Sequence, residues 1–193
     1  MGQSVVHDFE SKLAASHRAE DLPFWGATYR KAFPDMVEMI NHRQDGDHQR
    51  AGIDRSIVMA NSKQVLIDEK VRGRNSNGTV YSDIALEFIS DVARRTPGWV
   101  VKPLLADYIA YAIAPLGKCY LLPVLQLQEV WRMKGEAWKL QYGVREAHNR
   151  NKYGNRWTTL FTPVPVNPLF GSIGQCLRLE FTRIEIKEGD YEQ

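Results

Sequence analysis

Two strand-like runs joined by a short polar turn constrain the fold of this chain more than any other feature. They read GIDRSIVMA and KQVLIDEKVRG, and Asn61 and Ser62 separate them. Alternating side chains bounded by turn residues are typical of the two strands of a β-hairpin. The sequence therefore predicts a hairpin over residues 52–73.

The second run changes character along its length. Successive side chains of a strand point to opposite faces of the sheet. One face carries Val65, Ile67, Glu69 and Val71, and the other carries Leu66, Asp68, Lys70 and Arg72. The first face is apolar except for its glutamate, whereas the second is apolar only at its start and charged beyond.

Asp54, in the first run, joins the charged face only for one parity of the turn. With an odd number of loop residues, Asp54 shares a face with Asp68 and Lys70; with an even number, it shares a face with Glu69. The sequence leaves both cases open. The odd case brings two carboxylates together in a partly buried place, where they repel and one is pushed toward protonation.

The remaining segments predict a mixed α/β, or α+β, fold. Apolar residues at helical spacing predict helices over 5–15, 22–33, 36–40 and 125–142, and alternation predicts strands over 82–92, 106–115, 118–124 and 176–186. Residues 161–174 indicate a loop or short helix. The 193 residues suit one domain, with N-terminal helices at 1–45, a core of hairpin and strands at 50–125, and a helix, loop and C-terminal strand at 125–193.

Composition excludes several broad classes of protein. Apolar residues make up 44% of the chain and charged residues 25%, so gross disorder is not expected. The net charge of +2 neither indicates nor excludes nucleic-acid binding, because a basic cleft can lie on a balanced chain. Cys119 and Cys176 are expected to be reduced, which is typical of the cytoplasm. No apolar run approaches the ~18 residues of a membrane span, so no membrane segment is expected.

The charged face has the residue types of a divalent-cation site. Two neighbouring carboxylates lose their repulsion when they share a cation, and Mg²⁺ prefers carboxylate oxygen while keeping several waters. Lys70 could orient a water or stabilise charge on a phosphate, and Arg72 and Arg74 could contact flanking phosphates. The alternative is a solvated face on which Asp, Lys and Arg form cross-strand ion pairs.

At these residues the chain resembles the PD-(D/E)XK nuclease superfamily, whose restriction-endonuclease-like fold has a mixed central sheet flanked by helices. The motif places an acid on one strand and (Asp/Glu)-X-Lys on the next, which Asp54 and Asp68-Glu69-Lys70 match over residues 45–125. The resemblance implies that Asp54 and Asp68 bind Mg²⁺, or Mn²⁺, that Glu69 adds its backbone carbonyl, and that Lys70 positions the water. Ile53 replaces the proline of the motif, and Glu69 stands where the family often has an apolar residue.

Further residues could extend the site. Members of the superfamily often add a glutamate from the first helix, for which Glu10 and Glu38 are the candidates, and each could equally be a surface charge. Glu87 in the third strand could reach the site or form a salt bridge with Arg72 instead. Gln49 could approach the phosphate, although the polarity of its loop explains it as well. The candidate contacts to a nucleic-acid backbone are Arg55, Arg72 and Arg74.

The resemblance and the charged face together predict a Mg²⁺-dependent nuclease whose expected substrate is DNA, with RNA left open. A homodimer would suit cleavage of both strands of a duplex. Two alternatives stay open: a nuclease-like module with a weak or silent site that binds nucleic acid or a protein, and a structural protein whose charged face is an ion-pair lattice. The basic segment HNRNKYGNRW could follow a nucleic-acid backbone or be a solvated loop. The five histidines show neither HExxH nor zinc-ligand spacing.

Overall fold

The computed structural model describes residues 6–8, 24–42, 45–74, 77–151, 153–174 and 176–184. Strands lie at β1 Val6–Asp8, β2 Met36–Asn41, β3 Arg55–Met59, β4 Gln64–Arg72, β5 Asp83–Asp91, β6 Thr96–Pro97, β7 Tyr108–Ile113, β8 Lys118–Pro123, β9 Arg145–Arg150, β10 Arg156–Pro165 and β11 Leu177–Glu180. Helices lie at α1 Phe24–Ala32, α2 Gly46–Arg50, α3 Val124–Tyr142 and α4 Val166–Ile173, with a 3₁₀ turn at Ala114–Leu116. These elements confirm the predicted mixed α/β fold.

A six-stranded sheet contains the predicted hairpin, and its strand order is β11–β8–β7–β4–β3–β2. Neighbouring strands are antiparallel except β4 and β7, which run parallel. The connection between parallel strands must cross over the sheet. Here that connection contains β5 and β6, which belong to a second sheet.

The register of the hairpin decides the position of Asp54. Arg55 lies opposite Ile67, and the pairing continues to Val58 opposite Gln64, which leaves an odd number of residues, 59–63, between the last paired positions. Asp54 precedes Arg55 and Asp68 follows Ile67, so continuing this register by one pair places Asp54 opposite Asp68. The number of loop residues is therefore odd, and Asp54 shares the charged face with Asp68 and Lys70.

The second sheet has five strands in the order β1–β9–β10–β5–β6. β10 is its centre and pairs antiparallel with both β5 and β9. β5 buries Ile84 and Leu86 in an apolar core shared with β7, β8, α3 and α4. The five-stranded sheet thus packs on one face of the six-stranded sheet and carries residues of β5 toward β4.

The other face of the six-stranded sheet is covered by α1. Phe24, Trp25 and Tyr29 of this helix are buried against Ile57 and Ile67. We call the α1 side of the six-stranded sheet the outer face, and the side toward the five-stranded sheet the inner face. Alternate residues of β4 lie on these two faces, as the sequence pattern predicts.

Several segments differ from the sequence-based prediction. The helix predicted at 36–40 is wrong: after Pro34, these residues form β2, an edge strand paired with β3. Val6–Asp8 is a strand parallel to β9 rather than part of a helix, and residues 9–23 lie outside the described part of the chain. β9 is almost wholly polar and β10 contains two prolines, so neither has the pattern of a buried strand. Within the described residues, no helix combines the length and apolar character that crossing a membrane requires.

Candidate functional site

Asp54, Asp68 and Lys70 converge on the inner face, and we call these three residues the inner cluster. The Asp54 carboxylate accepts a hydrogen bond from the Glu69 N–H at 2.7 Å and lies within hydrogen-bonding reach of the Asp68 carboxyl group. The Lys70 ammonium donates to the Asp68 carboxylate. The Asp68 side chain is only 5% exposed, whereas Lys70 is 33% exposed. The cluster is therefore buried at Asp68, half-buried at Asp54 and open to solvent at its lysine.

The inner cluster holds more acid than base. Burial raises the pKa of Asp68 to about 7; Lys70 opposes this increase and Asp54 adds to it. Burial lowers the pKa of Lys70, but attraction to Asp68 and Asp54 outweighs that effect and raises the pKa to about 12. Lys70 is therefore protonated at neutral pH and balances only one of the two carboxylates. A proton or another cation has to neutralise the other carboxylate.

Glu87 of β5 lies beside this cluster. Its carboxylate raises the pKa of Lys70, and burial in turn raises the pKa of Glu87, while Lys70 and a hydrogen bond from Ser90 lower it. Within the described residues, however, Glu87 does not complete a set of three ligand atoms within 4.8 Å of one another with Asp54 and Asp68. Glu87 therefore acts on the cluster through its charge.

The side chain of Glu69 belongs to a separate group on the outer face. Arg55 donates from Nε to Oε1 of Glu69 at 2.7 Å and from Nη2 to Oε2 at 3.2 Å, and the Tyr29 hydroxyl donates to Oε1 at 2.7 Å. We call Tyr29, Arg55 and Glu69 the outer triad. Burial raises the pKa of Glu69 to about 7, although Arg55 and Tyr29 oppose the increase. The backbone N–H of Glu69 contacts the inner cluster by donating to Asp54, whereas its side chain lies on the opposite face. In a β-strand, the N–H and C=O of one residue point toward the same neighbouring strand. The Glu69 N–H points toward Asp54, so the Glu69 carbonyl lies on that side as well.

The three arginines predicted to contact nucleic acid are all engaged within the protein. The prediction for Arg55 is contradicted, because its side chain is 5% exposed and sealed in the outer triad. Arg72 forms an ion pair with Asp83, not with Glu87, and lies 3.5 Å from the centre of the Tyr81 ring. Arg74 donates to the Gly78 carbonyl at 3.1 Å.

Of the further acids predicted from the first helices, Glu38 is the one that the structure describes, and it does not join the cluster. Glu38 is exposed on β2, not on a helix, and lies three residues from Asn41, which pairs with Arg55. At ~3.3 Å per residue, this places Glu38 roughly 10 Å along the strand from the Asp54 end. Glu10 and the side chain of Gln49 lie outside the described part of the structure.

A second group of donor atoms, which the sequence analysis missed, lies beside the inner cluster. His42, Asp45 and His48 each place one ligand atom within 4.8 Å of the others, and the two imidazole rings stack with their centroids 3.9 Å apart. The even three-residue spacing of these residues is visible in the sequence. It matches no standard zinc motif, and the approach of the two rings depends on the fold.

An open groove of about 500 Å³ runs beside the end of β5 and the β9–β10 turn. Its lining includes Ser90, Arg94, Arg156 and Trp157. Ser90 also hydrogen-bonds to Glu87, so β5 contributes both to the groove and to the surroundings of the inner cluster. The basic segment predicted as a loop is therefore partly a strand hairpin that forms one wall of this groove.

No family model matches the chain, and no curated protein or solved structure shows significant similarity to it. The resemblance to the PD-(D/E)XK nucleases thus depends on Asp54, Asp68 and Lys70 alone. Function has to be argued from the geometry and chemistry of these residues.

Proposed function

We propose that the protein is a Mg²⁺-dependent nuclease of the PD-(D/E)XK type that hydrolyses DNA phosphodiester bonds at the inner cluster. The observation that carries the proposal is the hairpin register, which places Asp54 opposite Asp68 on the inner face, where Lys70 donates to Asp68 and Asp54 raises the pKa of Asp68. Placing a second acid against a buried acid destabilises the ionised fold, and a divalent cation relieves that repulsion. Strongly shifted acids of this kind are concentrated at functional sites.

The donor set of the inner cluster fits Mg²⁺. Asp54 and Asp68 offer carboxylate oxygens, and the Glu69 carbonyl lies on the Asp54 side. Mg²⁺ is commonly held by one or two carboxylates and retains several waters, so a third close carboxylate is not required. When bound, the ion would polarise a phosphate oxygen and lower the pKa of a coordinated water.

Lys70 is the residue that we assign to the reacting groups. Asp68 holds its ammonium, while a third of the side chain faces solvent. A pKa raised to about 12 keeps Lys70 protonated, which suits it to orient a water by hydrogen bonding and to stabilise negative charge on the phosphate. It does not suit Lys70 to remove the proton of the water, which would pass to solvent or to a phosphate oxygen.

The groove supports a polymeric substrate. Arg94, 82% exposed, and Arg156 could lie along a phosphate backbone, and Trp157 could stack on a base. A homodimer would present two such sites to the two strands of a duplex. A cytoplasmic location agrees with Cys119 and Cys176, which form no disulfide.

The test is cleavage of supercoiled and linear DNA, and of RNA, with Mg²⁺ or Mn²⁺. Asp68→Ala and Lys70→Ala should each lose about 100-fold or more in rate, the usual size for a group that acts on the reacting water. Glu38→Gln, which neutralises an exposed carboxylate of the same sheet, is the matched control and should cleave like the wild type. Full activity in Asp68→Ala would refute the proposal.

A second candidate is a nuclease-like module that binds DNA without cutting it. The observation that favours it is the direct ion pair between Lys70 and Asp68, which partly neutralises the site from within. This candidate predicts salt-dependent DNA binding that Asp68→Ala leaves unchanged, with no cleavage under Mg²⁺, Mn²⁺ or Co²⁺.

A further inference from the structure

We propose that His42, Asp45 and His48 bind a first-row transition-metal ion of the Zn²⁺ class, at a site distinct from the inner cluster. Two imidazoles and one carboxylate place their ligand atoms within 4.8 Å of one another. Imidazole nitrogen suits Zn²⁺, Ni²⁺ and Cu²⁺, whereas Mg²⁺ prefers an all-oxygen set. The two sites would therefore select different ions.

The orientation of His42 supports a ligand role. Its Nε2 lies 2.7 Å from the hydroxyl oxygen of Ser56, a residue of β3 that is 2% exposed. Histidines that bind metals usually hydrogen-bond a second partner through the other ring nitrogen, which fixes the ring. Ser56 is that partner here, and Nδ1 of His42 is left for the ion.

The carboxylate of Asp45 is also held in place. Its Oδ1 accepts hydrogen bonds from the N–H groups of Asp47 and His48 at 3.0 and 3.2 Å, and its Oδ2 lies 2.7 Å from Nδ1 of His48. Capping of the short helix α2 accounts for the Oδ1 contacts. It does not account for the bond between His42 and Ser56. Because an imidazole binds a metal in the plane of its ring, the two stacked rings have to turn relative to each other when they take up the ion.

Backbone hydrogen bonds connect this group to the inner cluster. The His42 N–H donates to the Asp54 carbonyl at 2.9 Å, and the Ile53 N–H donates to the His48 carbonyl at 2.9 Å. An ion that joins His42 to His48 would therefore restrain the segment that positions Asp54. The binding of the ion is independent of the proposed nuclease activity; only the positioning of Asp54 for catalysis rests on it.

The test is the affinity for Zn²⁺ by calorimetry, and the visible spectrum of bound Co²⁺, with Mg²⁺ in excess to occupy the inner cluster. One ion per chain should bind and raise the melting temperature. His42→Ala and His48→Ala should abolish this binding, and Ser56→Ala should weaken it by about 10- to 100-fold, as for other residues that orient a ligand.

Asp45→Asn separates metal binding from helix capping, because asparagine caps helices as well as aspartate does but is a poorer ligand. It should lose Zn²⁺ affinity while keeping the stability of the metal-free protein. His148→Ala is the matched control, since His148 lies 3.6 Å from Glu146 but outside the group. Asp68→Ala should bind Zn²⁺ normally even if nuclease activity proves absent. Unchanged Zn²⁺ affinity in Asp45→Asn or in both histidine variants, or no binding by the wild type, overturns the proposal.

Discussion

Strand β4 presents two groups of charges on its two faces, and they differ in how their charges are balanced. On the outer face, Glu69 meets Arg55 through two hydrogen bonds and Tyr29 through a third, and the group is sealed from solvent. On the inner face, Asp68 meets a second acid and a single lysine that is partly exposed. The outer triad is complete by itself, whereas the inner cluster has an acid without a matching base.

This difference separates structure from function within one strand. A buried ion pair with satisfied hydrogen bonds can persist in a fold without any ligand, and removing one partner is strongly destabilising. A buried cluster with excess charge is stabilised by what it takes from solution, whether protons or a cation. Changes to the two faces should therefore act on different properties of the protein.

The largest expected effect is on stability, at the outer triad. Glu69→Ala leaves Arg55 buried without its partner, so we expect the free energy of unfolding to fall by about 3 to 5 kcal/mol. Urea denaturation at neutral pH measures this change. Glu38→Ala, which removes an exposed carboxylate, should change it by less than about 0.5 kcal/mol.

Asp68→Asn is the inner counterpart and should have the opposite sign. In metal-free buffer at neutral pH it removes a repelled charge, so stability should stay the same or rise. If Asp68→Asn loses as much stability as Glu69→Ala, the inner cluster is also a self-sufficient ion-pair network. The difference in charge balance between the two faces would then be wrong.

The next largest effect is the pH dependence of stability without metal. The pKa of Asp68 is raised from about 4 to about 7 on folding, so the folded state binds more protons than the unfolded state in this range. Stability from this residue is fully present below pH 4 and is lost as the pH rises to about 7. The loss is at most about 4 kcal/mol, at ~1.36 kcal/mol per unit.

The pKa of Glu69 is raised in the same direction, so the wild type alone cannot assign the effect. The difference between wild type and Asp68→Asn, measured by denaturation between pH 4 and 7, isolates the part due to Asp68. Parallel stability curves for the two proteins would mean that Asp68 is ionised throughout.

A smaller effect is stabilisation by the divalent ion itself. At 100 times its dissociation constant, a ligand that binds only the folded state stabilises it by about 2.7 kcal/mol. We expect Mg²⁺ or Mn²⁺ to raise the melting temperature of the wild type and of Glu69→Gln, but not of Asp54→Asn. An equal increase in Asp54→Asn would place the ion elsewhere.

The sequence predicts the hairpin, its two faces and the strand that carries Glu87, because each depends on local alternation of side chains. It leaves open whether Asp54 meets Asp68, since that depends on the number of residues in one loop. Arg55 is assigned wrongly because the burial of its ion pair with Glu69 depends on α1, a helix distant in sequence whose Tyr29 also donates to Glu69. The stacking of His42 on His48 and the pairing of polar β9 with β10 likewise depend on tertiary contacts, which no local pattern encodes.

The smallest expected effect concerns the groove, whose Ser90 hydrogen-bonds to Glu87. Arg156 lies directly opposite Arg150 in the sheet, a like-charged pair that a phosphate would relieve. In a Lys70→Ala background that prevents cleavage, Arg156→Ala should weaken DNA binding by about 1 kcal/mol, roughly fivefold, and reduce the salt dependence by about one counterion. Fluorescence anisotropy over a range of salt concentrations measures both, and Arg132→Ala, an exposed arginine on α3, is the matched control. If Arg156→Ala and Arg132→Ala weaken binding equally, the groove is not part of the DNA-binding surface, and the proposal loses its route for DNA to the inner cluster.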